Sequence, residues 1–350
     1  MNPDPLYTYA VLPGIKFLVL LLAGVMPLIT YLVLVERKLL GFMQARVGPN
    51  RVGPWGLLQP IADIMKLLVK EDVTPERAYP WAHRLAPLLV VLPAFVIFAL
   101  IPFGPPAGEG RRLDLFITDV DVALVFLLGL ATLSVYGIVL GGWASNSKFS
   151  LMGGLRSAAQ LVSYEVPQGF ALVGPVLLAG SLSLTRIVEA QREAGVWYVF
   201  PQLLAFFVFF VAGIAESNRS PFDLPEAESE LVAGFHTEYS GMRFALFFLG
   251  EYANMIVVSC VAVTLFLGGW LRPFPNVEAL GFLDLAFLPA GLAGVIWFSL
   301  KVFVLLFFYI WFRGTFPRYR FDQLMALGWK WLLPLALVNL MATAAVKVLT

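Results

Sequence analysis

Along the chain, eight stretches approach twenty mostly apolar residues, at roughly 14–35, 85–104, 121–143, 158–180, 197–215, 243–270, 287–312 and 329–348. Twenty helical residues at 1.5 Å each match a hydrocarbon core of about 30 Å, so each stretch predicts a spanning helix. The sixth, about 28 residues long, is expected to cross at a tilt. A different pattern holds between Trp55 and Glu71: Gln59, Asp63, Lys66 and Lys70 recur at spacings of four, three and four, with Leu58, Ile61, Met65 and Leu68 elsewhere around the same helix. That stripe predicts an amphipathic helix on the membrane surface. The expected fold is an all-α polytopic membrane protein, one membrane domain over 1–350, with no repeat at a fixed period.

Composition supports this reading. Of the 350 residues 59% are apolar and 13% charged, with a formal net charge of +1; soluble domains carry about 25% charged residues. So small a net charge offers no basic face for nucleic acid. The single cysteine, Cys260, excludes an intrachain disulfide and cannot ligate an iron–sulfur cluster, which needs several thiolates. The N-terminal residues lack the positive region of a signal peptide, so the first apolar run is expected to stay as a spanning helix.

Lys and Arg placement sets the expected orientation. With Lys301 left out as mid-span, the loops 36–84, 144–157, 216–242 and 313–328 and the helix ends beside them hold sixteen basic residues against seven on the other side. The positive-inside rule puts these loops in the cytoplasm and both termini outside a cytoplasmic (inner) membrane.

Two cytoplasmic loops carry unusual chemistry. Gly48-Pro49-Asn50-Arg51-Val52-Gly53-Pro54 reverses the chain after Glu36-Arg37-Lys38. Arg46, Asp63 and Lys66 bracket this corner, which suits either a surface helix with charges in water or a mouth for an amphiphilic ligand with a polar head. Further on, residues 216–230 hold five carboxylates, Glu216, Asp223, Glu226, Glu228 and Glu230, offset by Arg219. Glu226 and Glu230, four apart on one helix face, would repel by a few tenths of a kcal/mol. This pattern fits a solvated acidic loop as well as a proton-holding one.

Glu165 and Glu251 lie inside expected spans, where a carboxylate costs about 3 kcal/mol and signals function by default. Each falls eight or nine residues into its stretch, ~12–13 Å deep, and with Glu216 they could form a relay leading inward from the loop. The alternative is a neutral acid bonded to a tyrosine and serving packing. Lys301 either continues the relay or pairs with a neighbouring subunit. Cys260 reads as packing, His83 and His236 lack metal-ligand spacing, and Pro27, Pro167 and Pro175 should kink or open their helices.

At these loops the sequence resembles the H-type membrane subunits of proton-pumping NADH–quinone oxidoreductases, respiratory complex I, a family that includes the first mitochondrially encoded subunit. The stretches that carry the resemblance are Glu36-Arg37-Lys38 through the Gly/Pro turn to Asp63, Gly142-Trp143-Ala144-Ser145, Ser163-Tyr164-Glu165, and Ala215 to Tyr239 with Glu251-Tyr252. Ser220 departs from the Thr common before Pro-Phe-Asp. The resemblance implies a subunit at the junction of peripheral and membrane arms that forms the quinone entrance and part of the quinone chamber. It maps Arg37, Arg46, Asp63 and Lys66 onto the chamber, and Glu165, Glu216, Asp223, Glu226, Glu228, Glu230 and Glu251 onto an acidic proton path toward antiporter-like subunits. It further implies that FMN, the iron–sulfur clusters and the groups protonating the quinone belong to partner subunits, leaving this chain without a cofactor, a metal or a redox centre of its own. The equivalent membrane subunit of a proton-pumping hydrogenase or formate hydrogenlyase shares the fold and acidic loop. A stand-alone secondary transporter would be expected to show inverted repeats.

Overall fold

The computed structural model describes residues 11–106, 116–224, 231–274, 288 and 291–349. Ten helices run through them. They are α1 Leu12–Met43, α2 Gln59–Val69, α3 Pro80–Ile97, α4 Ala123–Ala144, α5 Lys148–Ala179, α6 Leu184–Ala194, α7 Leu203–Glu216, α8 Gly241–Phe266, α9 Leu292–Thr315 and α10 Phe321–Leu349. Seven are long and apolar enough to cross a membrane, and the remaining expected span, the fifth, corresponds to the shorter apolar α7.

Helix α8 occupies the centre, with every residue from Met255 to Phe266 buried. Helices α1 and α10 lie outermost and expose Leu18, Leu22, Val338 and Met341, as expected where lipid rather than water is the solvent. Close packing depends on small residues, because apolar lipid gives helices no hydrophobic reason to associate. On α5, a Cβ at Gly153 would lie 2.6 Å from the Gly234 Cα, so the 3-10 turn Gly234–His236 rests directly on this helix.

Several boundaries differ from the hydropathy reading. Helix α1 continues to Met43, well past the expected 35, so Glu36-Arg37-Lys38 are helical. Within it, residues Leu20–Val25 form a π-helical segment just before Pro27, whose missing N–H loosens the ladder there. Helix α5 begins at Lys148, so the expected loop 144–157 shrinks to a short link; Pro167 and Pro175 do not end this helix. Helix α10 starts at Phe321 rather than 329 and carries a second π segment, Leu327–Leu332. In each case the helix outruns the apolar window because charged residues continue it beyond the hydrocarbon.

The fifth span is shorter than expected. Helix α7 has 14 residues, about 21 Å at 1.5 Å each. Before it lies the unpredicted amphipathic helix α6, started by the Ser183 hydroxyl accepting from the Arg186 N–H and ended at Gly195 in the left-handed region. It buries Leu184, Ile187 and Val188.

The reversal at 48–54 forms as expected. Gly56 takes φ +75°, where a Cβ would strike the Pro49 carbonyl at 2.2 Å, and the Leu58 N–H donates to the Val52 carbonyl at 3.2 Å. Helix α2 follows on the expected stripe. Gln59 and Asp63 turn toward the protein, while Ile61, Met65 and Leu68 are exposed.

Candidate functional site

Among the described residues, the most charged buried region lies where α1, α8, α9 and the segment after α7 meet. Glu36 continues the buried stripe Val25, Ile29, Leu32 at spacings of four, three and four and is only 4% exposed. The Tyr252 hydroxyl donates to its Oε2 at 2.6 Å, and the Arg313 guanidinium donates to its Oε1. Arg219, itself 7% exposed, lies 3.8 Å from Glu36 and 3.9 Å from Glu251. Its guanidinium also sits over the Tyr252 ring at 4.0 Å and Phe248 at 5.5 Å, which adds cation–π attraction in a desolvated setting. Two carboxylates thus share one buried cation, an arrangement in which the net charge depends on where protons reside.

The segment carrying Arg219 is fixed from below. The Gln160 amide on α5 donates to the Ala215 carbonyl at 2.7 Å and the Phe222 carbonyl at 2.9 Å. The Asn218 amide donates to Ser157 Oγ at 3.0 Å. Asp223, at the far end of this segment, pairs with Arg318 at 3.0 Å.

A cavity of about 30 Å³ adjoins this cluster, lined by Glu216, Glu251, Ser134, Ser217, Asn218 and Asn254 among others. That volume admits water, and the polar lining can hold it. Glu216, buried at the end of α7, is within reach of the Gln168 amide and interacts electrostatically with Glu165. Glu165 in turn is bonded to Thr132 of α4 at 2.5 Å.

The three carboxylates singled out within or beside the apolar stretches are therefore neighbours, though not by equal depth. Glu165 is seventeen residues beyond the start of α5 (165 less 148) and Glu251 ten beyond that of α8 (251 less 241). Their common neighbour is Glu216. The tyrosine partner weighed for these acids bonds Glu36 instead. Glu226, Glu228 and Glu230 lie outside the described residues.

At the corner after α1, Asp63 accepts from Arg37 at 2.7 Å and from Gln59 at 3.1 Å, tying α2 to α1. Arg46 donates to Gln44 at 2.7 Å, and Lys66 is exposed; neither joins the Arg37–Asp63 pair. Tyr239, in the loop before α8, stacks on His83 at 3.9 Å. Burial pushes its phenol well above the ordinary range, so it stays protonated.

Lys301 departs from both expectations. Its ammonium donates to the carbonyls of Leu267 at 2.7 Å, Gly269 at 2.9 Å and Leu271 at 2.6 Å, with the Trp197 ring at 4.4 Å. All three donors are used on the turn that follows α8, from its C-cap Leu267 to Leu271. It holds this turn in place, remote in role from the carboxylates.

Sequence reasoning missed Glu36, Arg219, Arg313, Tyr252 and Thr132 as members of the cluster. For Glu36 a signal existed, since its register continues a buried helix face. Arg219 and Arg313 registered only as cytoplasmic positive charge.

The chain matches the NADH dehydrogenase protein family over residues 15–344. An NADH-quinone oxidoreductase H-subunit from Syntrophotalea carbinolica is 53% identical over 327 residues, covering 93% of each chain. Its namesake from Magnetococcus marinus is 52% identical over 317 residues, covering 91% of this chain and 86% of the relative. The NADH-quinone oxidoreductase H-subunit 1 of Geobacter metallireducens is 52% identical over 326 residues, covering 93% of each. The chain therefore belongs to the NADH dehydrogenase family, as a multi-pass membrane subunit of the H type found in NADH-quinone oxidoreductases.

Proposed function

We propose that this chain forms the bilayer entrance and part of the chamber for the quinone of its complex, and couples quinone reduction to proton translocation through its carboxylates. The observation that carries the reading is the cavity shared by Glu216 and Glu251, continued through Arg219 to the buried Glu36. Buried carboxylates around one cation and one water-sized space can exchange protons with little movement, whereas a packing role needs neither the cavity nor the shared cation.

Quinone reduction consumes two electrons and two protons, and this chain's part is to admit the substrate and manage charge. The exposed apolar residues of α2 suit an isoprenoid tail, while Arg37, Asp63, Arg46 and Lys66 present a polar border to the head group. Asp223, Glu226, Glu228 and Glu230 form the cytoplasmic approach. Glu216, Glu165 and Glu251 carry the path into the membrane toward antiporter-like subunits. FMN and the iron–sulfur clusters belong to peripheral-arm partners, in keeping with one buried cysteine. Both termini face outside, on the charge asymmetry of the loops.

The test uses the assembled complex in sealed vesicles. Glu165→Gln and Glu251→Gln should each lower NADH–quinone turnover and pumping, while ferricyanide reduction by the peripheral arm and copurification of the subunits stay normal. Fully coupled turnover in both variants would overturn the relay.

A further inference from the structure

Thr132 poses a counting problem. Its Oγ1 lies 3.0 Å from the Leu128 carbonyl and 2.5 Å from Glu165 Oε1, and both distances are hydrogen bonds. A hydroxyl has one hydrogen and two lone pairs. It cannot donate to a carbonyl and to a carboxylate together. The carbonyl has no hydrogen to give, so the two bonds coexist only when the carboxyl group supplies one.

We propose that Thr132 is a two-position hydroxyl switch that positions Glu165 for proton exchange. When Glu165 is ionised, Thr132 turns its hydrogen to the carboxylate, and the short separation suits a charge-assisted O–H···O⁻ bond. When Glu165 is protonated, its own hydrogen points to Thr132 Oγ1, and the threonine hydrogen rotates back to the Leu128 carbonyl, one helical turn earlier. No proton leaves the threonine in either state; only the carboxyl proton is gained or lost. Each state is thereby matched with a satisfied partner, at the cost of one side-chain rotation.

The surroundings give the switch its context. Ala131 and Ser134, flanking Thr132 on α4, line the cavity shared by Glu216 and Glu251, so this turn of helix connects that space with Glu165. The ionisable side chain of α4, Tyr136, is exposed. From α7 the group acting on Glu165 is Glu216; from the α8 side Glu251 is held near Arg219. On α10, Asp322, Lys330 and Lys347 are exposed. The assignment rests on the reading of Glu165 as a proton carrier only for its effect on turnover, because the hydrogen-bond arrangement stands on geometry.

The experiment is redox-induced infrared difference spectroscopy on the intact complex, paired with NADH–quinone turnover. The carboxylic C=O band that Glu165→Gln removes is the reporter. In Thr132→Val, which keeps the shape and loses the hydroxyl, that band should change frequency and turnover should fall by about tenfold, the scale of one hydrogen bond to a charged group. Thr132→Ser should restore both. In a Glu165→Gln background, Thr132→Val should cost nothing further. An unmoved band with unchanged turnover in Thr132→Val overturns the proposal, as does an equal loss of turnover in the Glu165→Gln background, which would mark a packing effect. A band that responds to Thr132→Val while Glu165→Gln retains full coupled turnover sustains the switch and removes Glu165 from the relay.

Discussion

Replacing Arg219 by Met removes the cation shared by two buried carboxylates. At 3.8 and 3.9 Å, each ion pair carries about 4 kcal/mol of attraction at an effective dielectric constant of 20. Glu36 keeps Arg313 and Tyr252, and Glu251 loses the cation it shares with Glu36. Removing one partner of a buried ion pair costs about 3–5 kcal/mol. In Arg219→Met/Glu251→Gln both members of the pair are neutral, so the double variant should be less damaged than the sum of the singles by about 2 kcal/mol. The rate at which this chain is lost from the heated, detergent-purified complex on native gels reads this directly, and 2 kcal/mol is about thirtyfold in rate. Arg219→Lys should fall between wild type and Met, keeping charge but losing the planar stack on Tyr252. Strict additivity of the two single losses would refute the shared-cation reasoning.

Other outcomes follow from the same geometry. Arg37→Ala should leave thermal stability within about 1 kcal/mol, the usual worth of an accessible ion pair; with Arg46→Ala it should raise the quinone KM severalfold while sparing ferricyanide reduction. Lys301→Met should destabilise the chain by about 3 kcal/mol or more by leaving three carbonyls of the turn after α8 without this donor, and heat-loss rates measure it. Gly153→Ala should cost about 1–3 kcal/mol through overpacking against Gly234 and Phe235, read in the same assay.

Much of the fold is legible because apolar runs of spanning length seldom arise except where a helix crosses lipid. Helix α6 escaped because its Arg186, Glu189, Arg192 and Glu193 depress hydropathy, although its buried Leu184, Ile187 and Val188 follow helical spacing. Glu165 and Glu251 stand out as charges in apolar sequence, whereas Glu36 sits at an end of its run, where a charge is ordinary. Only its register with Val25, Ile29 and Leu32 betrays that it faces inward. Arg219 and Arg313 are drawn to buried acids by contacts far apart in sequence, which no local pattern encodes. The reverse error concerns Lys301: a mid-span cation invites a functional reading, yet it falls opposite the turn after α8, whose carbonyls take up its three donors.

The most direct test of the central claim is NADH–quinone turnover measured together with proton uptake in sealed vesicles carrying Glu216→Gln. Glu216 joins the cavity to Glu165, so its loss should depress quinone-coupled turnover and proton uptake together, with ferricyanide reduction and subunit composition unchanged. Normal turnover at the wild-type proton ratio would contradict a path through these carboxylates.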